Sequence, residues 1–501
     1  MKFRSKLLPV FLIFLSLALR SCNTNTGNKQ GIDDRPNILL IVADDHGSTD
    51  AGCYGNTAIH TPNIDYLASE GVRMTSAFCT TASCSASRSV ILTGLYNHAN
   101  GQYGHEHGVY HFSAFPDIKS LPVLLEESGY ATARIGKYHV APESVFHFQE
   151  VFSGVSQRSP VEMADKCREF IEKSEAPFFL YYATSDPHRG GGVNENIVTK
   201  PDRFGNLDVG YPGIKEVVFS SDEVIVPPYL PETIECRDEL TQYYQSVARL
   251  DQGIGRLVEL LKETGKWDNT IVMYISDNGI AFPGAKTNLY DPAMRLPCIV
   301  KLPNSKNAGT VSDAMVNWAY ITPTLLDFAG ILPGGNFIPG SEGMQEKNPL
   351  WRPPKFIRFH GRSFRDVLVN GTFEGFDEIY ASHTFHEITM YYPMRVVQDR
   401  KYKLIWNIAS GLSYPHASDL WESSTWQSAV NSGTGLYAKR GIEAYSYRAA
   451  FELFDMQNDP DEIRNLAYDP DFADVLGSMK DKLRIFQERT SDPWRVKWEH
   501  E

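Results

Sequence analysis

The chain alternates short continuous apolar runs with longer stretches in which apolar residues return every three or four positions. NILLIVA (37–43), ATARI (131–135), PFFLYYAT (177–184) and TIVMYIS (270–276) are short enough to read as strands. Between them lie helical patterns. Thr61-Pro62 opens a helix that stops near Gly71, with a cap residue, a proline in the first turn and a terminating glycine. SLPVLLEESG (120–129) repeats that order, and residues 237–265 predict a long amphipathic helix. TTASCSASRSVILTG (80–94) reads as a loop running into a helix start at Cys84. Farther on, RVVQDRKYKLIWN (395–407) predicts a hairpin with Asp399-Arg400 at its turn. Strands alternating with helices predict an α/β fold with a largely parallel sheet.

The strand ends carry the chemistry. The first run ends in Asp44-Asp45 and the second in Gly136-Lys137-Tyr138-His139. The third ends in Ser185-Asp186-Pro187-His188 and the fourth in Asp277-Asn278-Gly279. In an open α/β sheet the ligand lies beyond the carboxyl ends of the strands, so these groups meet at one edge. Singly, Asp and Asn begin turns, and a lone His or Lys is usually a solvated loop residue. Together they exceed what turn chemistry explains. Asp44, Asp45, Asp277 and Asn278 supply only oxygen ligands, a set for a hard cation such as Ca²⁺ or Mg²⁺. Arg88, Lys137, Lys286, His139 and His188 add cationic or proton-carrying groups. That combination suits an anionic tetrahedral centre, phosphoryl or sulfuryl.

Composition narrows the setting. A chain of 501 residues, 42% hydrophobic and 22% charged, is of ordinary globular make-up and long enough for one large domain plus a smaller one. A formal net charge of −13 argues against nonspecific nucleic-acid binding, so an anionic substrate needs a local basic pocket. Residues 1–22 read as a leader, with Lys2, Arg4 and Lys6 before an apolar stretch, Leu7–Leu19, too short to span a membrane. Ser21-Cys22 resembles a lipoprotein processing site, and residues 23–35 read as a tether. The expectation is export to the periplasm or outer cell envelope with a lipid on Cys22. Arg20 is unusual before such a site and keeps ordinary signal cleavage open. The cysteines have no framework or metal spacing, which leaves Cys84, among small polar residues at a helix start, to be explained.

Cys84-Ser85-Ala86-Ser87-Arg88 followed by Leu92-Thr93-Gly94 resembles the type I sulfatase signature, whose cysteine is oxidised to formylglycine. The ADD, GKYH, DPH and SDNG blocks and the tail FELFDMQNDPDEIRNLA resemble other blocks of that family. HANGQYGHEHGVYHF, DNGIAFPGAKTNLY and SHTFHEITMYYPMRVVQ are more specifically similar to the heparan N-sulfatases, the sulfamidases that act on N-sulfoglucosamine. The resemblance implies an alkaline-phosphatase-like α/β catalytic domain (36–378). A smaller C-terminal α+β subdomain with an antiparallel sheet (379–501) would follow. It also implies one Ca²⁺ per subunit on Asp44, Asp45, Asp277, Asn278 and the modified Cys84.

The implied chemistry explains the cysteine. One hydroxyl of the formylglycine hydrate attacks sulfur, and the other later expels sulfate. By position, Arg88 and Lys137 would hold the hydrate, and His139 would be the base of the second step. His188 would be the acid at the leaving group, with Lys286 on the sulfate oxygens. Asp186, His386 and Glu387 are the candidates for substrate contact, against the plainer readings of Asp186 as orienting the loop that carries His188 and of His386 and Glu387 as a loop anchoring a domain interface. A maturation enzyme, a sulfated glycosaminoglycan fragment and a homodimer are the implied partners. Two positions depart from the pattern: Ala86 replaces the commoner proline, and Lys286 stands where the sulfamidases have arginine. Three rivals stay open here: an O-sulfatase on a 6-O- or 2-O-sulfated sugar, a phosphodiesterase or phosphonate hydrolase, and a non-catalytic lipoprotein that binds sulfated glycans.

Overall fold

The computed structural model describes residues 35–190, 202–331 and 359–500. The expected leader with Cys22, and tether residues 23–34, lie outside the described residues. Among the described residues no helix is long and apolar enough to cross a membrane.

Eight strands build the main sheet. They are β1 (Asn37–Ala43), β2 (Val72–Met74), β3 (Ala131–Gly136), β4 (Glu150–Phe152), β5 (Phe178–Ala183), β6 (Thr270–Ser276), β7 (Cys298–Lys301) and β8 (Thr310–Ser312). Their spatial order is β4-β3-β5-β1-β6-β7-β2-β8, and only β7 runs against the rest. β1 lies at the centre, parallel to β5 on one side and to β6 on the other. Its seven residues are all buried, which is why the run reads as continuously apolar rather than alternating. Successive side chains point to opposite faces. Ile38, Leu40 and Val42 join one core cluster, and Leu39, Ile41 and Ala43 join the other. Burying each of these leucines and isoleucines stabilises the sheet by about 1.5–3 kcal/mol.

Helices cover both faces. Helix α1 (Pro62–Ser69) adds Ile64 and Leu67 to the second cluster, while α2 (Cys84–Thr93) adds Val90, Ile91 and Leu92 to the first. Helix α3 (Leu121–Glu127) follows its predicted Ser120 cap. The long helix α4 (Ile234–Glu263) starts three residues before the sequence expectation, because Thr233 accepts from the Cys236 N–H and so caps it.

A second, antiparallel sheet follows: β9 (Glu378–His383), β10 (Met394–Asp399), β11 (Tyr402–Asn407) and β12 (Phe451–Asp455), in that spatial order. The hairpin turn sits one residue beyond the predicted place, at Arg400-Lys401. Asp399 ends its strand, and its Oδ1 accepts from the Lys401 and Tyr402 N–H groups. Helix α5 (Ala473–Arg489) packs on this sheet, with Phe486 stacked on Tyr380 at 4.4 Å between ring centroids. The first core cluster runs without a break from Ile38 through Trp318 to Val396, Leu404 and Leu453. The described residues from Arg35 onward therefore make one compact unit.

Candidate active site

Backbone hydrogen bonds carry the sheet past its last residues and draw four chain segments together. The Asp44 N–H donates to Asp186 O at 3.0 Å, the Asp277 N–H to Ala43 O at 3.2 Å, and the Lys137 N–H to Ala183 O at 2.7 Å. Gly136 makes the last of these possible. Its φ is 84°, and a Cβ there would sit 1.9 Å from Ala183 O, so no other residue fits the bend that aims Lys137. Asp45, His139 and Thr287 hold φ angles of 69°, 56° and 68°. Such a left-handed conformation costs a non-glycine residue about 1–3 kcal/mol and is found where function fixes a side chain.

Cys84 is the first residue of α2, whose ten residues are all buried. Its sulfur and one oxygen each of Asp44 and Asp277 lie within 4.8 Å of one another. One helical turn on, Arg88 donates from Nε to Asp277 Oδ2 at 2.9 Å and from Nη1 to Lys137 O at 3.0 Å and the Tyr181 hydroxyl at 3.2 Å. Lys137 Nζ donates to Asp44 Oδ2 at 2.6 Å. Asp45 Oδ2 meets His188 Nδ1 at 2.5 Å and Lys286 Nζ at 2.9 Å, while its Oδ1 accepts from Asn278 Nδ2 at 2.6 Å.

Three buried carboxylates thus share one small volume with three cations. Burial alone would push every carboxyl group up. At Asp44 it is outweighed by Lys137, His188 and Arg88, and at Asp45 by Lys286 and His188, so both stay below the usual carboxylate range. Asp277 goes the other way. Burial, with Asp44, Cys84 and Asp45 nearby, pushes it well up despite Arg88. Asp44 Oδ1 and Asn278 Oδ1 are buried without a hydrogen-bond partner. An all-oxygen set with two buried, unpartnered oxygens fits a hard divalent cation.

Histidines line the other side of Cys84. His139 Nε2 pairs with His107 Nδ1 at 2.8 Å. His105 Nε2 pairs with His386 Nε2 at 3.0 Å, and His386 Nδ1 pairs with Ser83 Oγ, in the residue just before α2, at 3.0 Å. Burial lowers His139 to about 3, which holds the ring neutral. Burial raises the Cys84 thiol, but Lys137, His139 and His105 outweigh it and hold the group well below the ordinary thiol value.

The structure brings Asp44, Asp45, Cys84, Arg88, Lys137, His139, His188, Asp277, Asn278 and Lys286 together. It does not turn Asp186 toward them. The buried Asp186 oxygens accept from the part-buried Arg158 at 2.7 Å and from the buried Arg249 on α4 at 2.8 Å, so Asp186 positions the loop carrying His188 instead of touching substrate. His386 is likewise buried and occupied by Ser83 and His105, which fits the anchoring reading. Glu387 is half-exposed and accepts from Ser418 Oγ at 3.2 Å. Sequence reasoning did not single out His105, His107 or Asp419. The two histidines had a signal in the HEH of GQYGHEHG; Asp419, whose Oδ2 is 3.5 Å from Lys286 Nζ, had none.

Comparison with known proteins agrees with this geometry. The sulfatase family model matches residues 36–331. The N-sulphoglucosamine sulphohydrolase of Homo sapiens is 37% identical over 474 residues, covering 91% of each chain. An ulvan-active sulfatase of Formosa agariphila is 26% identical over 465 residues, 90% of this chain and 79% of the relative. Among solved structures, a protein in complex with its substrate D-glucosamine-2-N,6-O-disulfate matches with a TM-score of 0.62 at 21% identity, over 92% of this chain and 99% of that one. The phosphonate monoester hydrolase of Agrobacterium radiobacter matches with a TM-score of 0.61 at 17% identity, over 91% of this chain and 96% of that one. At such identity these two establish the fold alone. From the family match and the long human alignment, the chain belongs to the sulfatase family, a family that implies a formylglycine at Cys84 and a divalent metal ion among the carboxylates.

Proposed function

We propose that the matured chain removes the N-linked sulfate from terminal N-sulfoglucosamine in heparan sulfate or heparin fragments, with Ca²⁺ as its metal ion. The observation that carries the reaction class is Cys84 at the start of α2, between buried carboxylates and the cations Arg88 and Lys137. The substrate follows from the 37% identity, over 91% of both chains, to a human enzyme named for N-sulphoglucosamine. Ca²⁺ suits the donors, which are all oxygen once residue 84 is formylglycine.

Once formed, formylglycine supplies a hydroxyl pair for attack on sulfur and release of sulfate, and the cation supplies Lewis-acid stabilisation of sulfate oxygens. The chain's own residues do the rest. Arg88 and Lys137 offset negative charge beside residue 84. Lys286 binds a sulfate oxygen, as its fixed contact with Asp45 aims its ammonium into the site. An amine is a poor leaving group unless protonated, so cleaving nitrogen from sulfur needs an acid. His188 is that acid: Asp45 takes its Nδ1, which leaves Nε2 to deliver the proton. His139, beside residue 84 with its Nδ1 unpartnered, accepts the proton when sulfate departs. Glu387 and Asp419, both part-exposed, stand ready for sugar hydroxyls and the released ammonium.

A direct check is matured protein with N-sulfoglucosamine, reading sulfate and free amine together. Equal release supports the reading; no release of either from this sugar contradicts it. The Ser21-Cys22 junction further supports export with a lipid on Cys22, which the mass of the mature N-terminal peptide from envelope fractions tests.

A further inference from the structure

We infer that Asp419 selects N-sulfate over O-sulfate: its Oδ2 accepts the N–H that joins sugar to sulfur in an N-sulfated substrate, a hydrogen that a sulfate ester lacks. The inference rests on the sulfohydrolase reading and names a residue for its specificity. Lys286 Nζ, which takes a sulfate oxygen in that reading, lies 3.5 Å from Asp419 Oδ2. It lies 3.1 Å from Nδ1 of His188, the acid at the leaving nitrogen. Asp419 is thus on the leaving-group side of the pocket. Its Oδ1 accepts from the Leu420 N–H at 2.9 Å, which leaves Oδ2 for a ligand. The Asp419 side chain is 24% exposed, against 1% for Lys286, so substrate can reach it.

The carboxylate is held from several sides. Asp419 belongs to a one-turn helix, Ser418–Trp421, whose Leu420 packs with Ala281 and Met390. Ahead of that helix the Tyr414 hydroxyl donates to Thr287 O at 2.8 Å, next to Lys286. Behind it the Ser424 N–H donates to Glu239 Oε1 at 3.0 Å, and Glu239 also accepts from Arg189, next to His188, at 2.7 Å. The two loops that carry Lys286 and His188 therefore fix Asp419 as well.

A carboxylate beside the cation that binds sulfate weakens the pull on any anionic substrate, and it discriminates by what it meets next. The bridging oxygen of a sulfate ester turns only lone pairs toward Asp419. The bridging nitrogen of an N-sulfate donates its N–H. As His188 delivers its proton to the nitrogen lone pair, positive charge develops there until the N–S bond breaks and its electron pair leaves the amine neutral. The contact with Asp419 becomes charge-assisted over that interval. It is therefore stronger in the transition state than in bound substrate, the condition under which binding speeds a reaction.

The test pairs two sugars that differ at the bridging atom, N-sulfoglucosamine and glucose 2-sulfate. Matured wild type, Asp419→Ala and Asp419→Asn are compared by kcat/KM on the first and by competitive inhibition with the second. Asp419→Ala should lower kcat/KM about 10–100-fold, the worth of a hydrogen bond to a charged group, while glucose 2-sulfate binds as well as before or better. Asp419→Asn, whose amide can donate to an ester oxygen, should bind glucose 2-sulfate more tightly than wild type does. The preference for nitrogen over oxygen must fall by about tenfold or more in Asp419→Ala. An equal loss for both sugars would mean that Asp419 acts only by holding Lys286, and overturns the inference. Unchanged kcat/KM on N-sulfoglucosamine overturns it too. A wild-type enzyme that releases no sulfate from N-sulfoglucosamine contradicts the sulfohydrolase reading itself, before any variant is compared.

Discussion

Arg88 Nη2 lies 2.8 Å from Asp277 Oδ2, and both side chains are fully out of solvent. The pair ties α2, one turn after Cys84, to the carboxyl end of β6. Removing one partner of a buried pair strands the other charge, so Arg88→Ala should destabilise the protein by about 3–5 kcal/mol and abolish turnover. Denaturant unfolding of metal-free protein measures the first effect. A loss under about 1 kcal/mol would mean that Asp277 does not depend on Arg88.

Cys84→Ala and Asp277→Ala should separate two kinds of loss. The first removes the nucleophile position while leaving the fold in place. The second loses both Ca²⁺ and activity. Metal content by mass spectrometry, alongside sulfate release, distinguishes them. Full activity in either variant would remove the site from this account.

His188 delivers a proton, so its value depends on how much the leaving group needs one. His188→Ala should slow N-sulfoglucosamine by about 10²–10⁴-fold, the usual contribution of a positioned acid. Across a series of N-sulfated amines the loss should shrink as the amine becomes less basic. An equal loss for all of them would assign His188 to binding.

His98 ties β9 to the end of α5, with Nδ1 on Ser382 Oγ at 2.8 Å and Nε2 on Thr490 Oγ1 at 3.0 Å. Burial lowers it to about 4 from an ordinary 6.5. The unfolded chain therefore binds the proton more readily, and this contribution to stability is complete above about pH 6.5 and lost as pH falls toward 4. His98→Gln should flatten the fall in unfolding free energy over that window. A variant with the wild-type slope would show that other groups set it.

The carboxyl edge was legible because each strand presents its chemistry within a few residues of an unbroken apolar run. Lys137 follows Ile135 by two, and Asp277 follows Ser276 directly. What the same runs could not show is which way a side chain turns after the strand. Asp186 follows β5 just as Asp44 follows β1, yet Arg249, 63 positions away on α4, draws it inward. His386 reads as exposed polar loop until the fold sets it against Ser83, 303 positions earlier. His105, His107 and Asp419 reach the site from loops whose approach depends on tertiary packing alone. Local pattern carries no record of such contacts.

The central claim is that sulfur is cleaved from nitrogen. Matured protein should be given N-sulfated, 6-O-sulfated and 3-O-sulfated glucosamine in parallel, with free sulfate assayed from each. The account predicts release from the N-sulfated sugar alone. Release from an O-sulfated sugar in its place would keep the formylglycine chemistry and contradict the substrate.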